Sequence, residues 1–263
     1  MLELTDLVIR HLDAFVLAFF RVGAMLAVAP VLGHRSVPVP HRAALAVLLA
    51  LVLAPLLARP AAGTGADVLG LLLAVAGEVV VGLTIGFVAT LVLAAVEMAG
   101  ELIGLQMGLG LAAVFDPASG QGGTALGRFQ SALAVLLFLT VNGHHLLVRA
   151  VAASFQRIGP GGVLDAAVAG GVASLGGKVF RAGLDLAAPL VGILLVVNVA
   201  LALLGRVAPQ GNLFMIGLPL SLGMGLLGLV DVLPTFGRHL IRLVAEIPSD
   251  LDTVLAGALH GLR

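Results

Sequence analysis

Cysteine, tryptophan and tyrosine are absent from this 263-residue chain, and Lys178 is its only lysine. Without cysteine there is no disulfide, no thiolate metal site and no cysteine nucleophile. Without tryptophan and tyrosine the usual interfacial aromatic belt of lipid-facing helices cannot form, so much of the surface is expected to meet protein. A formal net charge of zero with scattered basic residues argues against a nucleic-acid-binding surface. Charged residues make up only 11% of the chain, against roughly 25% in soluble domains. What is present is apolar: 60% hydrophobic residues and a mean hydropathy of +1.17. Such a chain is a multi-pass membrane protein, with length for about six spans of ~20 residues in one all-α polytopic domain.

The start, Met1-Leu-Glu-Leu-Thr-Asp6, is acidic where a secretory signal is basic, so the first apolar run is expected to stay in the mature protein. That run, Ala14 to Gly33, contains Arg21 and gives way to Pro30 through Pro40, a proline-punctuated stretch that reads as a turn. A second run, Ala43 to Leu57, is closed by Pro55 and Pro60, with a small-residue loop from Ala61 to Ala66. The third, Val68 to Val96, exceeds one bilayer crossing and carries Glu78, Gly82 and Gly86. Met98 to Phe115 continues in helical register until Asp116-Pro117, and Phe129 to Val148 reads as the next span. After a loop at Gly159 to Gly162 and a weakly hydrophobic Gly/Ala segment, Leu186 to Leu204 and Leu213 to Leu233 form a hairpin joined by Arg206 to Asn212. The tail, Phe236 to Arg263, places Leu240, Leu243, Val244 and Ile247 at helical spacing and is expected to be an amphipathic helix broken at Pro248. Basic residues do not alternate cleanly enough with these runs to orient the chain by the positive-inside rule.

Five ionisable residues fall at or inside apolar runs: Arg21, Glu78, Glu97, Glu101 and Asp185. A charge centred in the bilayer costs about 2.5–3.5 kcal/mol on insertion scales, so each must pair, protonate, or face protein or water. Asp185, with Arg181 four residues before it, reads as an interfacial helix start. Glu97 and Glu101 share a helix face and repel, which calls for cations or water nearby. Beside them Gly100, Gly104 and Gly108 form a stripe suited to close approach of another helix. The expected use of Glu78, Glu97, Gly100, Glu101, Gly104, Gln106, Met107 and Asn142 is a polar packing seam in an assembly.

Catalytic signatures fail. There is no His-Glu-x-x-His, no Gly-x-Ser-x-Gly and no cysteine cluster. Gly108 to Ala113 imitates a dinucleotide fingerprint without a preceding strand, and Gly171 to Lys178 misses the P-loop spacing. His144 and His145 lack an evident third metal ligand and, on a helix, point to different faces. The reading is a non-enzymatic protein with no cofactor and no metal. An ion-coupled small-solute transporter is the competing class, but no inverted repeat is visible.

The ordered set Arg21-Val-Gly-Ala, Ala29-Pro-Val-Leu-Gly, Val37-Pro-Val-Pro, Gly77-Glu78-Val-Val-Val-Gly82, Glu97 to Gly108, Phe115-Asp116-Pro117, Phe138 to His144 and Ala208-Pro209-Gln-Gly-Asn212 resembles the FliR/SctT family of type III secretion export-gate subunits, from about residue 10 to residue 235. The Asp-Pro and Asn-Gly-His segments are more similar to the flagellar branch than to the injectisome (SctT) one. The resemblance implies long, broken helical hairpins assembled with FliP and FliQ into a helical cone in the bacterial inner membrane, at the flagellar basal body. FlhB would wrap its entrance and FlhA would lie nearby, with membrane lipid around and unfolded flagellar proteins exported through the centre. It also implies one domain over 1–263, with a FliP-like part to about residue 180, a FliQ-like hairpin to about residue 235 and the tail beyond. The family's pore plug maps onto Gly108 to Gly123, including Gly110, Ala112, Phe115, Asp116, Pro117, Ser119 and Gly120. Its low bulk suits a seal that must move aside.

Overall fold

The computed structural model describes residues 2–56, 68–110, 123–159, 167–207 and 213–260. Among these residues there are seven α-helices and no strand: α1 Leu2–Val28, α2 Val39–Leu53 followed by a 3₁₀ turn Ala54–Leu56, α3 Val68–Gln106, α4 Ala125–Thr140, α5 Gly143–Arg157, α6 Ala167–Val207 and α7 Leu213–His260. Three of them, α3, α6 and α7, contain stretches long and apolar enough to cross a membrane, and α4 with α5 forms a fourth candidate bent by 63°. The expected six or so spans are thus fewer and longer, because runs that look separate in sequence fuse into helices of 39, 41 and 48 residues.

Several boundaries differ from expectation for identifiable reasons. Val39 and Pro40 belong to the first turn of α2, where proline costs nothing because the first amides have no intrahelical acceptor. Phe129 to Val148 is no single helix: Asn142 adopts φ 58°, ψ 34°, a left-handed conformation that ends one helix before Gly143 starts the next. Asp185 lies well inside α6, exposed, and starts nothing. The tail is not broken at Pro248 but belongs to α7, which runs through Pro234 and Pro248 alike. An interior proline costs about 3 kcal/mol. Here Leu240, Val244, Ile247, Leu251, Val254 and Leu255 stay buried on one continuous stripe across it, and each such side chain contributes about 1.5–3 kcal/mol. The expected loops at 61–66 and 160–162, and most of the 206–212 connection, lie outside the described residues.

The chain divides into two compact units, Met1–Leu91 with Asn142–Gly176 and Ala245–Arg263, and Val92–Val141 with Gly177–Val244. In the first unit, α1 buries Ala14, Leu17, Ala18, Arg21, Val22, Met25 and Leu26, one stripe at helical spacing. It lies parallel to α3 at backbone distance: a Cβ at Gly82 would stand 2.9 Å from that of Ala24, and one at Gly86 would stand 2.7 Å from the Met25 carbonyl. Farther along, Thr90 Oγ1 donates to the Val28 carbonyl at 2.8 Å.

Within this contact sits the buried ion pair. Arg21 Nε and Nη2 donate to Glu78 Oε2 and Oε1 at 2.5 and 3.0 Å. Nη1 donates to Ser154 Oγ at 2.9 Å and Nη2 to the Ile158 carbonyl at 3.2 Å. The Phe155 ring caps the guanidinium, its centroid 3.8 Å from Cζ. Both charged side chains are wholly buried, so α1, α3 and the end of α5 meet at one polar point. Ser154 in turn donates to the Val151 carbonyl at 2.7 Å. At the far side of α5, Arg157 and Asp252 form an exposed ion pair with α7 at 2.6 Å, which contributes little by comparison.

In the second unit, α6 and α7 form an antiparallel hairpin. Leu190 approaches Gly228, Asn198 accepts from Ser221 at 3.4 Å, and Leu201 approaches Gly217. Its outward residues, among them Leu195, Val196, Leu203, Leu227 and Val230, are apolar and exposed, as a surface for lipid or protein must be.

Breaking the pair from one side should be far worse than removing it. Arg21→Met or Glu78→Met alone leaves the other charge buried without its ion-pair partner and should cost about 3–5 kcal/mol, whereas Arg21→Met with Glu78→Met should recover much of that loss. A double-mutant cycle on thermal unfolding of the solubilised protein measures it, and simple additivity of the two single losses would contradict the pairing.

Candidate functional site

The end of α3 must dispose of carbonyls that have no helical partner. Met107 N–H donates to the Ile103 carbonyl (2.9 Å), Gly108 N–H to that of Leu105 (3.0 Å) and Leu109 N–H to that of Gly104 (2.9 Å). With Gly108 at φ 81°, this is a Schellman cap, whose left-handed position selects glycine. The helix therefore stops well before Asp116-Pro117, and Gly108 terminates it instead of extending the packing stripe. The dinucleotide-like stretch likewise begins in a turn and not within the helix.

Gly100 and Gly104 are packing positions. A Cβ at Gly104 would stand 2.7 Å from Thr124 Cβ, and one at Gly100 would stand 2.7 Å from Gly127 Cα. Their neighbour is α4 of the same chain. Thr124 is the N-cap of α4: its backbone is extended and its hydroxyl accepts from Gly127 N–H at 3.0 Å. Its own N–H donates to both carboxylate oxygens of Glu101, 2.8 Å each. Glu101 is thus stabilised by a charge-assisted bond at the positive end of a helix, which is how an apolar helix accommodates it. Gly123, at φ 84°, turns the chain into this clamp, and a Cβ at Gly127 would stand 2.8 Å from Glu101 Cδ.

Within this chain the two carboxylates of the α3 end have different surroundings. Glu101 is half-buried and held by α4, whereas Glu97 is exposed and has no hydrogen bond among the described residues. Glu78 belongs to the Arg21 pair of the first unit. Gln106 accepts from Asn198 Nδ2 at 3.3 Å, extending the Asn198–Ser221 link into a short polar chain. Met107 is buried against Gly225. Gly110 closes the described stretch after α3; Ala112, Phe115, Asp116, Pro117, Ser119 and Gly120 lie outside the described residues. Asn142 serves as the break between α4 and α5. The rings of His144 and His145 lie 4.2 Å apart, and among the described residues no group of three metal ligands forms.

Sequence reading missed Thr124, Gln130, Asn198 and Ser221. Thr124 had a usable signal, a threonine immediately before an apolar-periodic segment. Gln130, buried with its Oε1 unpartnered among the described residues, and the Asn198–Ser221 pair have none, since their partners are remote in sequence.

The arrangement has no nucleophile–base pair among these residues and no donor set for a cofactor. It is a polar and glycine-lined clamp that fixes the end of α3 against the start of α4. The fold and this clamp define the class: an all-α, polytopic membrane protein whose polar groups serve packing and loop attachment.

The family model described as "Bacterial export proteins, family 1" matches residues 12–247. The flagellar biosynthetic protein FliR of Pectobacterium carotovorum subsp. carotovorum is 36% identical over 256 residues, covering 95% of this chain and 97% of that protein. Its counterparts in Escherichia coli (strain K12) and Bacillus subtilis (strain 168) are 37% and 35% identical, covering 92% and 93% of this chain and 95% and 96% of those proteins. The chain belongs to this export-protein family, in its flagellar FliR branch, and is a component of the flagellar export apparatus.

The clamp predicts a sharp positional contrast among glycines. Gly104→Ala should destabilise by about 1–3 kcal/mol, because the facing atoms belong to a buried N-cap that cannot yield. Gly176→Ala and Gly177→Ala, which meet nothing within 4 Å on exposed helix, should be neutral or stabilising by up to ~1 kcal/mol. Thermal unfolding of the three variants decides it; similar shifts at all three sites would contradict the close approach.

Proposed function

We propose that this chain is a core subunit of the flagellar type III export gate, forming with FliP and FliQ the inner-membrane channel through which unfolded flagellar proteins leave the cell. The observation that carries this reading is the end-to-end similarity to flagellar relatives over nearly the whole chain. FlhB at the entrance and FlhA nearby complete the partners, and the basal body is the place of action. The parts of the chain serve this role in order: a FliP-like portion to about residue 180, a FliQ-like hairpin to about residue 235 and the tail beyond. The exposed apolar faces of α6 and α7 support burial against sibling subunits.

The segment from Gly108 to Gly123 acts as the plug of that channel. Support comes from its attachment: a glycine cap at one end and the Glu101–Thr124 clamp at the other. A segment that must resist an ion gradient needs fixed ends, and a seal that must yield needs small residues between them. Ion-coupled solute transport is disfavoured by the same geometry. Glu78 is bound to Arg21 and Glu101 to the Thr124 amide, so neither carboxylate is presented to a cation.

Deletion of Ala112–Gly120 should leave the gate assembled with FliP and FliQ homologues, as read by co-purification, while raising resting permeability to ions and small solutes in vesicles. An intact complex with unchanged permeability would remove the plug assignment. Failure to co-purify either homologue with the unaltered chain would remove the gate reading itself.

A further inference from the structure

We propose that the turn between α1 and α2, together with the outward face of α2, binds an anionic phospholipid. Its phosphate headgroup lies on Arg35, Arg42 and the histidines beside them, and an acyl chain lies along the helix. The site uses a part of the chain that the export-gate reading leaves without a role, and it does not depend on that reading.

Charge sets this turn apart. Residues 34–42 include His34, Arg35, His41 and Arg42, while no acidic residue stands between Asp13 and Asp67. None of the four is in an ion pair among the described residues. Arg21 has a carboxylate, a hydroxyl and a carbonyl around it. Arg42, half-buried, has only one long bond of 3.5 Å to the Gly33 carbonyl, and its Nε has no partner among the described residues. His34, Arg35 and His41 are exposed. The backbone that presents them is held in place: Gly33 N–H donates to the Ala29 carbonyl at 2.8 Å and Val37 N–H to that of His34 at 3.0 Å. The Ser36 amide donates to His34 Nδ1 at 3.2 Å, which leaves Nε2 as the donor of the neutral ring. Val31 holds φ 70°, a left-handed conformation that a β-branched residue adopts only under constraint. Uncompensated positive charge on a fixed turn calls for an anion.

The helix that follows says which anion. Its inward side packs on α1 through small residues: Ala46 and Ala50 are buried, and a Cβ at Gly23 would meet that of Ala46 at 3.9 Å. Its outward stripe runs from His41 through Ala44 to Leu48, Leu51 and Val52, the last three 61%, 55% and 66% exposed. Helix contacts in apolar surroundings favour small residues that let backbones approach. Here those residues are spent on α1, and the bulky outward stripe suits acyl chains better than a partner helix. Length agrees. At 1.5 Å per residue the stripe from His41 to Val52 covers about 16 Å, roughly half of a ~30 Å hydrocarbon core. Helix α2 therefore matches one leaflet, with its basic end at the level of the phosphates.

Because the chain has no cysteine, Val39→Cys, at a residue 69% exposed, carries a single fluorophore. The labelled full chain is placed in phosphatidylcholine nanodiscs with a minor fraction of lipid bearing a nitroxide at the top of one acyl chain. That lipid is either phosphatidylglycerol or phosphatidylcholine, at equal mole fraction. The expected result is quenching several-fold stronger with phosphatidylglycerol. Arg35→Gln with Arg42→Gln should abolish the preference and leave quenching by phosphatidylcholine unchanged. Arg35→Gln alone, at an exposed side chain, should remove part of it and decides the matter if the double variant does not fold. Arg238→Gln, at an exposed arginine of α7, should leave the preference intact. Equal quenching by the two lipids would overturn the proposal, as would a preference that survives loss of Arg35 or falls equally with Arg238→Gln. Absence of quenching by either lipid would show the face covered by protein and overturn it too.

Discussion

A guanidinium shut away from water has to be answered group by group, and the answer given to Arg21 organises the first unit. Four of its five N–H groups are accounted for by Glu78, Ser154 and the Ile158 carbonyl, and the ring of Phe155 covers its face. Those partners lie 57 to 137 residues away in sequence. The ion pair is thus satisfied only when α1, α3 and the end of α5 occupy one arrangement, which makes it a register mark more than a source of net stability. The glycine approach of α3 to α1 and the left-handed break at Asn142 both serve this meeting, one by shortening distance and the other by redirecting the chain.

Helix α3 carries a second buried-side carboxylate, and it is neutralised by different means. Glu78 finds a cation; Glu101 finds the amide at the start of another helix. The difference matters for function. An Arg–Glu pair locks helices to each other, whereas a carboxylate on an N-cap locks the point where a loop re-enters the fold. The Glu101–Thr124 contact fixes the start of α4 on the last turns of α3.

The outer faces complete this division of labour. Glu78 turns to Arg21, Glu101 to Thr124, and Gln106, Asn198 and Ser221 to one another, while Glu97 and Asp185 stay exposed. Apolar side chains on α6 and α7 are left facing outward. The chain has no tryptophan or tyrosine to mark a lipid interface.

The all-helical membrane class followed from composition, and α1, the Gly82–Gly86 stretch, the hairpin arms and the apolar face of the tail followed from runs and periodicity. Those properties are local or additive, so one chain carries them unaided. The glycines near Glu97 and Glu101 were visible as sites of close approach, but three equally spaced glycines concealed two roles, since backbone φ at Gly108 is decided by the cap it makes. The long helices were under-read because proline marks a probable break, while burial of a continuous stripe across Pro248 outweighs it. The partner of each charged residue was decided only by tertiary structure: Arg21 with Glu78, Glu101 with the Thr124 amide. Sequence determines that a charge in an apolar helix must be compensated. Which group compensates it depends on distances between residues far apart along the chain, and those exist only once the helices have packed.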